Sequence, residues 1–396
     1  MQNSVLQTEV VIVGGGAVGK TAALALAQAG IAVTLLSPEA LHAAAPQHWD
    51  VRVFALNKLA YHLLQQVKVW DAMDLSRVEP VLGMDVYGSA AQSGQLNFSA
   101  YQACQQELAF IVEDGNLNFA LDTALRFANN CQRWQTSATA MQVQADGVVL
   151  QLADGRSLQA QLVIGADGAN SWVRHQADIG YGVRHYHQQG VVANFECAKP
   201  HRGIARQWFV AEQGIIALLP LPGQRVSLVW SAPDELAQRL LQQPVAELAV
   251  QLAPYAEAEL GCLIPVQPEL HRGFPLRLIR PDALVANRVA LIGDAAHVVH
   301  PLAGHGMNLG FADIRDLVKV IGERQPGQDL GEMKLLQRYQ RLRKEEVLLM
   351  QVATDGLSRL FASDVTPVKE LRELGMNLLN RLPVIKNRLI QHALGK

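Results

Sequence analysis

The sequence predicts an α/β fold in which a parallel βαβ core is interrupted by an inserted antiparallel sheet. Three segments carry this prediction: a buried strand followed by a glycine turn and an alanine-rich helix at 9–37, a second buried strand leading into Asp167-Gly168, and a late strand leading into Gly293-Asp294. Short continuous apolar runs of this kind are typical of strands buried on both faces of a parallel sheet. Since long stretches separate the three segments, the core is assembled from discontinuous parts of the chain.

The first segment has the pattern of a dinucleotide-binding turn. Gly14 allows a tight turn after the strand, Gly16 lets the backbone approach a pyrophosphate, and Gly19 lets the helix pack on the strand. The helix that follows offers free N–H groups and the positive end of its dipole to phosphates. Glycine turns also occur with no ligand, so the prediction depends on the two later segments.

Length and composition predict a globular protein of two domains. The chain has 396 residues, more than one hydrophobic core usually holds, and 49% of them are apolar. Its 34 basic and 36 acidic residues give a formal charge of −2, which indicates no nucleic-acid surface. The four cysteines form no Cys-x-x-Cys pair, so no metal site is expected.

Targeting signals are lacking in the sequence. The polar start, 1–9, is not typical of a signal peptide, and no apolar run reaches the roughly 18–20 residues that span a bilayer. These features predict a cytoplasmic protein and leave open a peripheral contact with the inner face of the cytoplasmic membrane.

Hydrophobic spacing predicts the remaining elements. Two Asp-Gly turns predict hairpins within 138–164, and strand-like runs between 181 and 231 predict the antiparallel sheet. Helices are expected at 54–72, about 117–128, 233–256, about 306–321 and most of 332–396, with breaks at Pro367 and Pro383.

The domain boundaries follow from these elements. The predicted parts are a discontinuous nucleotide-binding domain at 1–75, 106–178 and 277–345, a sheet domain at 76–105 and 179–276, and a C-terminal helical region at 346–396.

Three motifs in this order resemble the aromatic-hydroxylating flavoprotein monooxygenases that hold a single FAD. They are the glycine turn at 14–19, LVIGADGANS at 162–171 and GDAAHVVHPLAGHGMNLG at 293–310. The chain is most similar to the branch that hydroxylates polyprenyl phenols and benzoquinols in ubiquinone biosynthesis, and the similarity spans nearly the whole chain. The resemblance implies a Rossmann-like FAD-binding domain of the p-hydroxybenzoate-hydroxylase type, with the inserted sheet as substrate domain.

The resemblance also implies the chemistry. In such enzymes NADPH or NADH, a transient co-substrate, reduces the flavin, and O2 adds to give a C4a-hydroperoxide that attacks an electron-rich ring. The protein shields that peroxide from water and places the ring. No second Gly-x-Gly-x-x-Gly pattern follows a strand, so the nicotinamide is expected to dock at the surface.

Site residues are carried over from the family motifs. The flavin and substrate environment is expected at Arg52, Pro301 and Gly304, with no acid–base residue assigned, and the substrate pocket at Leu218, Leu219 and Pro220. The expected cofactor contacts are Gly14, Gly16, Ala17, Val18, Gly19, Ser37, Arg52, Asp167, Asp294, Pro301, Gly304, Gly306, Met307 and Asn308.

The third motif has specific roles in the family. Asp294 is expected to accept hydrogen bonds from the ribityl chain of FAD, although an aspartate there also suits a turn cap. Gly304 and Gly306 leave room for the flavin ring, and the helix that starts near Gly306 directs N–H groups at it. An ordinary glycine loop is the alternative.

Four further polar residues each have two interpretations. Asp167 is implied in FAD and NAD(P)H contacts, but Asp-Gly is also a common turn. Arg52 matches an arginine beside the flavin, or is a surface arginine. His297 and His300 suggest an acid–base pair, yet a hydrogen-bonded interior histidine is the commoner case.

One position departs from the family pattern. The second strand of an FAD-binding βαβ unit usually ends in an acidic residue that binds the adenosine ribose hydroxyls, and here it ends in Ser37, followed by Pro38 and Glu39. A serine forms fewer hydrogen bonds than a carboxylate, so weaker FAD retention is expected unless Glu39 substitutes. A weakly flavin-binding, non-catalytic scaffold subunit of a biosynthetic complex is therefore an alternative function, as is a hydroxylase of another aromatic compound or a prenyl-chain reductase.

The C-terminal segment 367–396 carries six Lys/Arg and two acidic residues, with leucines on one helical face. This pattern predicts a basic amphipathic surface for a membrane or for a partner in a ubiquinone-biosynthesis complex. A helix packed on the protein's own core is the alternative.

Overall fold

The computed structural model describes residues 6–88, 95–210, 212–300 and 305–362. Pro301 and Gly304 lie outside the described residues, as does the C-terminal segment 363–396 with its predicted surface contact.

A six-stranded sheet forms the centre of the described chain. Its neighbouring strands are parallel except at one edge, where the first two pair antiparallel. Its strands are apolar and buried because helices and a smaller sheet cover both faces. In order across the sheet they are β20 (Val285–Ala286), β21 (Val289–Leu291), β13 (Leu162–Gly165), β2 (Val10–Val13), β3 (Val33–Leu36) and β9 (Cys131–Trp134).

Three of these strands bring the three motifs together. Strands β21, β13 and β2 are adjacent and parallel, so their carboxyl ends lie at one edge of the sheet. The glycine turn, Asp167-Gly168 and Gly293-Asp294 follow those ends directly. The predicted fold class, with its discontinuous core, is confirmed.

An eight-stranded, mainly antiparallel sheet forms the second layer. One of its faces packs on two helices in a separate core, and the other faces the carboxyl edge of the six-stranded sheet. Its strands in order are β18 (Leu263–Pro265), β14 (Tyr181–Cys197), β17 (Arg225–Pro233), β16 (Gly214–Leu221), β15 (Ile204–Val210), β6 (Gly83–Tyr87) and β7 (Gln95–Ser99), with β19 (Arg272–Pro281) also paired to β14.

Two smaller sheets complete the described strands. One contains the predicted hairpins, and the other lies between the two large sheets. The first is β1 (Leu6–Gln7), β12 (Ser157–Ala160), β11 (Val148–Leu152) and β10 (Ala138–Val143), and the second is β4 (Val53–Leu56), β8 (Ala109–Glu113) and β5 (Glu79–Val81).

The described helices surround the sheets. They are α1 (Ala17–Gln28), α2 (Lys58–Gln66), α3 (Asp114–Arg126), α4 (Trp172–Gln176), α5 (Asp234–Gln242), α6 (Val245–Leu260), α7 (His305–Gly322) and α8 (Met333–Ala362). None of these described helices is both long and apolar enough to cross a membrane. The predicted domain boundary between 345 and 346 falls inside α8, while the other boundaries remain predictions.

Three helix predictions need correction. The helix expected at 54–72 begins only at Lys58, because Val53–Leu56 is a strand and the side chain of Asn57 caps the helix by accepting from Ala60 N–H at 3.0 Å. The helix expected at 117 begins at Asp114.

The helix expected over 233–256 is two helices, α5 and α6. Pro244 lies between them as the N-cap of α6. A proline favours extended backbone in the residue before it, and Gln243 has the extended conformation (φ −88°, ψ 152°) that ends α5.

Candidate functional site

A cleft of about 2140 Å³ lies between the carboxyl edge of the six-stranded sheet and the open face of the eight-stranded sheet. Among the described residues, the predicted cofactor contacts line it with the exception of Gly19: Gly14, Gly16, Ala17, Val18, Ser37, Arg52, Asp167, Asp294, Gly306, Met307 and Asn308. The cleft therefore brings together residues that are up to 294 positions apart, from Gly14 to Asn308.

The glycine turn has the geometry that its sequence predicts. Gly14 has φ +121°, and a Cβ there would lie 2.2 Å from the carbonyl oxygen of Ala166. A Cβ on Gly19 would lie 2.0 Å from the carbonyl oxygen of Gly14. At Gly16, by contrast, a Cβ would meet no described atom within 4 Å, because this residue faces the open cleft at the start of α1. The turn is thus tightly packed against the sheet and the helix at Gly14 and Gly19, and it is open to the cleft at Gly16.

Val18 connects this turn to the third motif. Its side chain lies 3.1 Å from the Cβ position of Gly293 and 2.8 Å from that of Gly310. A side chain at either glycine would collide with Val18. The absence of Cβ atoms therefore lets α1, the Gly293-Asp294 turn and α7 come together.

Arg174 connects the second motif to the third. It is 1% exposed, and its guanidinium donates to the carbonyl oxygens of Ala169 at 2.8 Å and Ala295 at 3.0 Å. Asp167 accepts from Val173 N–H at 3.0 Å through one oxygen, so it fixes the start of α4, as the turn interpretation expected. Its other oxygen is buried with no partner among the described residues, and Asp167 also lines the cleft.

Asp294 is held differently from Asp167. Its side chain is exposed to the cleft, and no described residue donates a hydrogen bond to its carboxylate. Protein surrounds it on most sides, and this burial raises its pKa, while His297, Arg52 and Arg277 act in the opposite direction. The carboxylate is therefore available to accept hydrogen bonds from a ligand in the cleft.

Arg52 lies at the cleft with its side chain 64% exposed, and its contact with Asp114 is long, at 3.6 Å. Its backbone is well fixed, because its N–H donates to Asp50 at 2.9 Å and Asp50 N–H donates to Glu113 at 2.5 Å. The guanidinium of Arg77 also donates to Glu113, which is fully buried. A fixed backbone with an exposed guanidinium suits a ligand contact.

His297 and His300 of the third motif are both buried. Nε2 of His297 donates to Asp313 at 2.7 Å, as the interior-histidine interpretation expected. His300 lines the cleft, with Nε2 3.1 Å from Gln188 Oε1 and its ring edge against Tyr186.

Asp313 is the centre of an ionic network beneath the cleft. It accepts from Gly293 N–H at 2.8 Å and from Arg343 Nε at 2.7 Å, in addition to His297. Burial alone would raise the pKa of the Asp313 carboxyl, but the charges of His297 and Arg343 and the hydrogen bonds outweigh it and hold that pKa below its ordinary value. Arg343 also contacts Asp316 and Glu346, so the network ties the Gly293 turn to α7 and α8.

The first turn of α7 closes another side of the cleft. A Cβ on Gly306 would meet no described atom within 4 Å. Asn308 accepts from Asn57 N–H at 2.9 Å and donates to the carbonyl oxygen of Ala55 at 2.8 Å, which fixes β4 and α2 against α7. Met307 lies between this helix start and the main core.

The end of the cleft near Ser37 contains residues that the sequence did not suggest. Ser37 is 2% exposed, and its Oγ lies 2.3 Å from the Cβ position of Gly15. Lys20 and His42 both contact the buried Asp122, at 2.6 and 2.7 Å. The only local signal was a lysine directly after the glycine turn.

Only one of the three predicted pocket walls faces the cleft. Leu219 lines it, whereas Leu218 packs in the second core and Pro220 is buried away from it. Side chains alternate along β16, so Ile215 and Ala217 share the face of Leu219. The predicted set of Leu218, Leu219 and Pro220 is therefore corrected to Ile215, Ala217 and Leu219.

These features fit a dinucleotide. The backbone is open above Gly16 and Gly306, and both residues stand at the first turn of a helix whose N–H groups favour anionic groups. The Asp294 carboxylate adds an acceptor between the two turns. FAD needs donors for its pyrophosphate and acceptors for its ribityl hydroxyls, and the described residues provide both.

Comparisons with known proteins agree with this geometry. Residues 7–351 match the family described as FAD binding domain. The ubiquinone hydroxylase UbiL of Rhodospirillum rubrum is 36% identical over 98% of this chain and 89% of its own, and the 3-demethoxyubiquinol 3-hydroxylase of Escherichia coli is 33% identical over 98% of both. The structure of p-nitrophenol 4-monooxygenase from Pseudomonas putida shares the fold, with a TM-score of 0.78 at 16% identity over 98% of both chains. The chain therefore belongs to the family of FAD-dependent aromatic monooxygenases, among its ubiquinone-biosynthesis hydroxylases.

Proposed function

We propose that this chain hydroxylates the aromatic ring of a polyprenyl phenol or benzoquinol in ubiquinone biosynthesis, with FAD as cofactor and NADPH or NADH and O2 as co-substrates. One observation carries the proposal: a single cleft joins a dinucleotide-type edge to an apolar sheet wall. The names of the two relatives, a ubiquinone hydroxylase and a 3-demethoxyubiquinol 3-hydroxylase, support the same substrate class.

In this proposal the carboxyl edge holds FAD. The N–H groups at Gly16 and the start of α1 bind the pyrophosphate, and Asp294 accepts from the ribityl chain. The start of α7 at Gly306 faces the flavin ring, where its dipole stabilises negative charge on the reduced ring. Bound and reduced FAD would supply the activation of O2. The charge of Arg52 partly opposes the burial that raises the pKa of Asp294.

The sheet wall holds the substrate. Ile215, Ala217 and Leu219 present aliphatic surface to the cleft, which excludes water and accepts an aromatic ring. Towards β6 and β7 the wall continues into an apolar cluster of side chains that suits an isoprenoid chain: Met84, Val86, Leu96, Phe98, Phe209 and Ile215. The volume of about 2140 Å³ also exceeds that of an ordinary ligand site, roughly 300–1,000 Å³.

The experiment uses the full chain purified with FAD. We expect a yellow protein that oxidises NADH or NADPH faster when ortho-geranylphenol is added and that yields a hydroxylated ring by mass spectrometry. A protein that binds no flavin would contradict the proposal and favour the scaffold alternative. Stimulation by a small aromatic acid but not by geranylphenol would favour the alternative substrate.

The ring position is best tested in cells. Strains that each lack one ring-hydroxylation step of ubiquinone synthesis are complemented with this chain, and their quinone intermediates are identified by mass spectrometry. We expect restored ubiquinone in at least one strain. Failure in every strain, with the protein expressed, would contradict the role in this synthesis.

We also propose that the segment 367–396 contacts the membrane where such substrates reside. Its six basic and two acidic residues and its leucine face support this. The full chain should float together with liposomes that contain anionic lipid. A chain that ends at Thr366 should float with them to a smaller extent. Equal flotation of the two proteins would exclude this segment as the anchor.

A further inference from the structure

Four neighbouring strands of the eight-stranded sheet, β6, β15, β16 and β17, present a mostly apolar face to the cleft. Strand pairing places Val86, Gln207, Ala217 and Val229 side by side in one row across four neighbouring strands. In the next row Phe209 and Ile215 lie beside Ser231. Gln207 and Ser231 are the polar side chains that these four strands present to the cleft within the described chain.

Gln207 stands alone among apolar neighbours. It is 4% exposed, and the side chains beside it are those of Val86 and Ala217 across the sheet and of Ala205 and Phe209 along its own strand. None of these side chains can accept or donate a hydrogen bond. Gln207 makes no side-chain hydrogen bond to any described residue.

A buried amide in such surroundings costs stability unless it is hydrogen-bonded. The cleft is the only side from which a partner can reach it, because Gln207 belongs to the cleft lining. Arg206, the preceding residue, shows the contrast: its guanidinium donates to the carbonyl oxygen of Ile204 at 3.3 Å and to Glu259 at 3.4 Å, so it has partners within the fold. The polar group of Gln207 is therefore placed for a ligand and not for the fold.

We propose that the side-chain amide of Gln207 binds the oxygen substituent of the substrate ring and so sets which ring carbon faces the flavin. An amide both donates and accepts, which matches a phenolic hydroxyl, whereas the surrounding wall contacts only the ring faces and the alkyl chain. This inference rests on the proposed function and names the residue that orients the ring within it.

The test compares two ligands with two proteins, all with FAD bound. The ligands are ortho-geranylphenol and geranylbenzene, which differ by one hydroxyl, and binding is followed through the flavin absorbance. In Gln207→Leu, which keeps the volume and removes the amide, we expect the Kd of geranylphenol to rise about tenfold, or about 1.4 kcal/mol, and that of geranylbenzene to stay within about twofold. Ser231→Ala removes the other polar side chain of the wall, and if Gln207 makes the contact this variant should bind both ligands with Kd values within about twofold of those of the unchanged protein.

Each other outcome overturns the inference. An unchanged Kd of geranylphenol in Gln207→Leu would show that the amide does not bind the hydroxyl, and a loss confined to Ser231→Ala would assign that contact to Ser231. Equal losses for both ligands would show a packing role. If the unchanged protein binds neither ligand, the proposed function fails first and this inference with it. FAD content and the thermal midpoint, measured on the same samples, show that each variant is folded.

Discussion

The two sides of the cleft are built by different physical means. The carboxyl edge of the six-stranded sheet offers backbone N–H groups, bare glycines and one open carboxylate, all fixed by buried polar contacts such as those of Arg174 and Asp313. The wall of the eight-stranded sheet offers alternate aliphatic side chains with a single buried amide among them. We therefore expect cofactor affinity to depend on the backbone geometry of the edge, and ligand selection to depend on which face each strand of the wall presents to the cleft.

We expect the greatest loss of stability when the ionic network around Asp313 is broken. Asp313→Asn removes the charge between His297 and Arg343, and we expect the free energy of unfolding to fall by about 3–5 kcal/mol. Urea denaturation measures this. Asp154→Asn, in an exposed pair with Arg156, is the control and should change stability little.

The same variant has a defined pH dependence. Because the pKa of Asp313 is lower in the folded protein than in the unfolded chain, its contribution is complete above about pH 4 and is lost as the pH falls further. The stability difference between the unchanged protein and Asp313→Asn should therefore be constant from about pH 6 to about pH 4 and shrink as the pH falls below about 4. A difference that does not shrink below about pH 4 would show that the charge of Asp313 does not stabilise the edge.

The second prediction concerns the two faces of β16, since Leu218 packs in the second core and Leu219 lines the cleft. Leu218→Ala opens the second core and should lower stability by about 2–5 kcal/mol while leaving the binding of geranylphenol unchanged. Leu219→Ala should do the reverse, with weaker binding and a smaller loss of stability, because its side chain faces the cleft. Similar binding losses in both variants would mean that the two faces are not separated as described.

The third prediction concerns FAD binding at the glycine turn, in a variant that leaves the fold unchanged. In Gly16→Val the added Cβ meets no described atom within 4 Å, and the side chain occupies space above the turn, so we expect the Kd of FAD to rise about tenfold to 100-fold with the stability of the apoprotein preserved. Gly182→Val is the control, since a Cβ there is equally open and lies outside the cleft lining. FAD fluorescence titration distinguishes them, and equal affinities would place the pyrophosphate elsewhere.

The smallest effect concerns the adenosine end of the edge. Ser37→Glu restores a carboxylate at the end of β3, and we expect FAD to bind up to about tenfold more tightly. Ser37→Gln has the same length without the charge and should gain less. If FAD affinity stays the same in Ser37→Glu, the prediction that Ser37 weakens FAD retention is wrong.

The edge could be predicted from the sequence because its demands are local. Positive φ and close approach require glycine at fixed positions, and a motif after each of three buried strands implies a shared edge. The roles of Arg174 and Asp313 were missed because their partners, Ala295 and Arg343, are distant in the sequence and show no periodic relation to them.

The wall could be predicted only in part. Residues 215–219 are all apolar, so the sequence gives no sign of which alternate set faces the cleft, and Leu218 was placed on the wrong side. In β15 the apolar pattern was interrupted by Gln207, yet an isolated glutamine has no meaning until the neighbouring strands are known. The contacts of Lys20 and His42 with Asp122 lie 102 and 80 residues apart and were equally hidden.

The packing of Val18 between Gly293 and Gly310 fixes the spacing of two parts of the cleft. The isopropyl group of Val18 contacts both the Gly293 turn and α7, and Val18 itself belongs to α1. These contacts fix the distance between the glycine turn and the start of α7 in the folded chain. Such preorganisation reduces the ordering that binding must otherwise supply. The two segments should therefore keep the same separation in the apoprotein and in the protein with FAD bound.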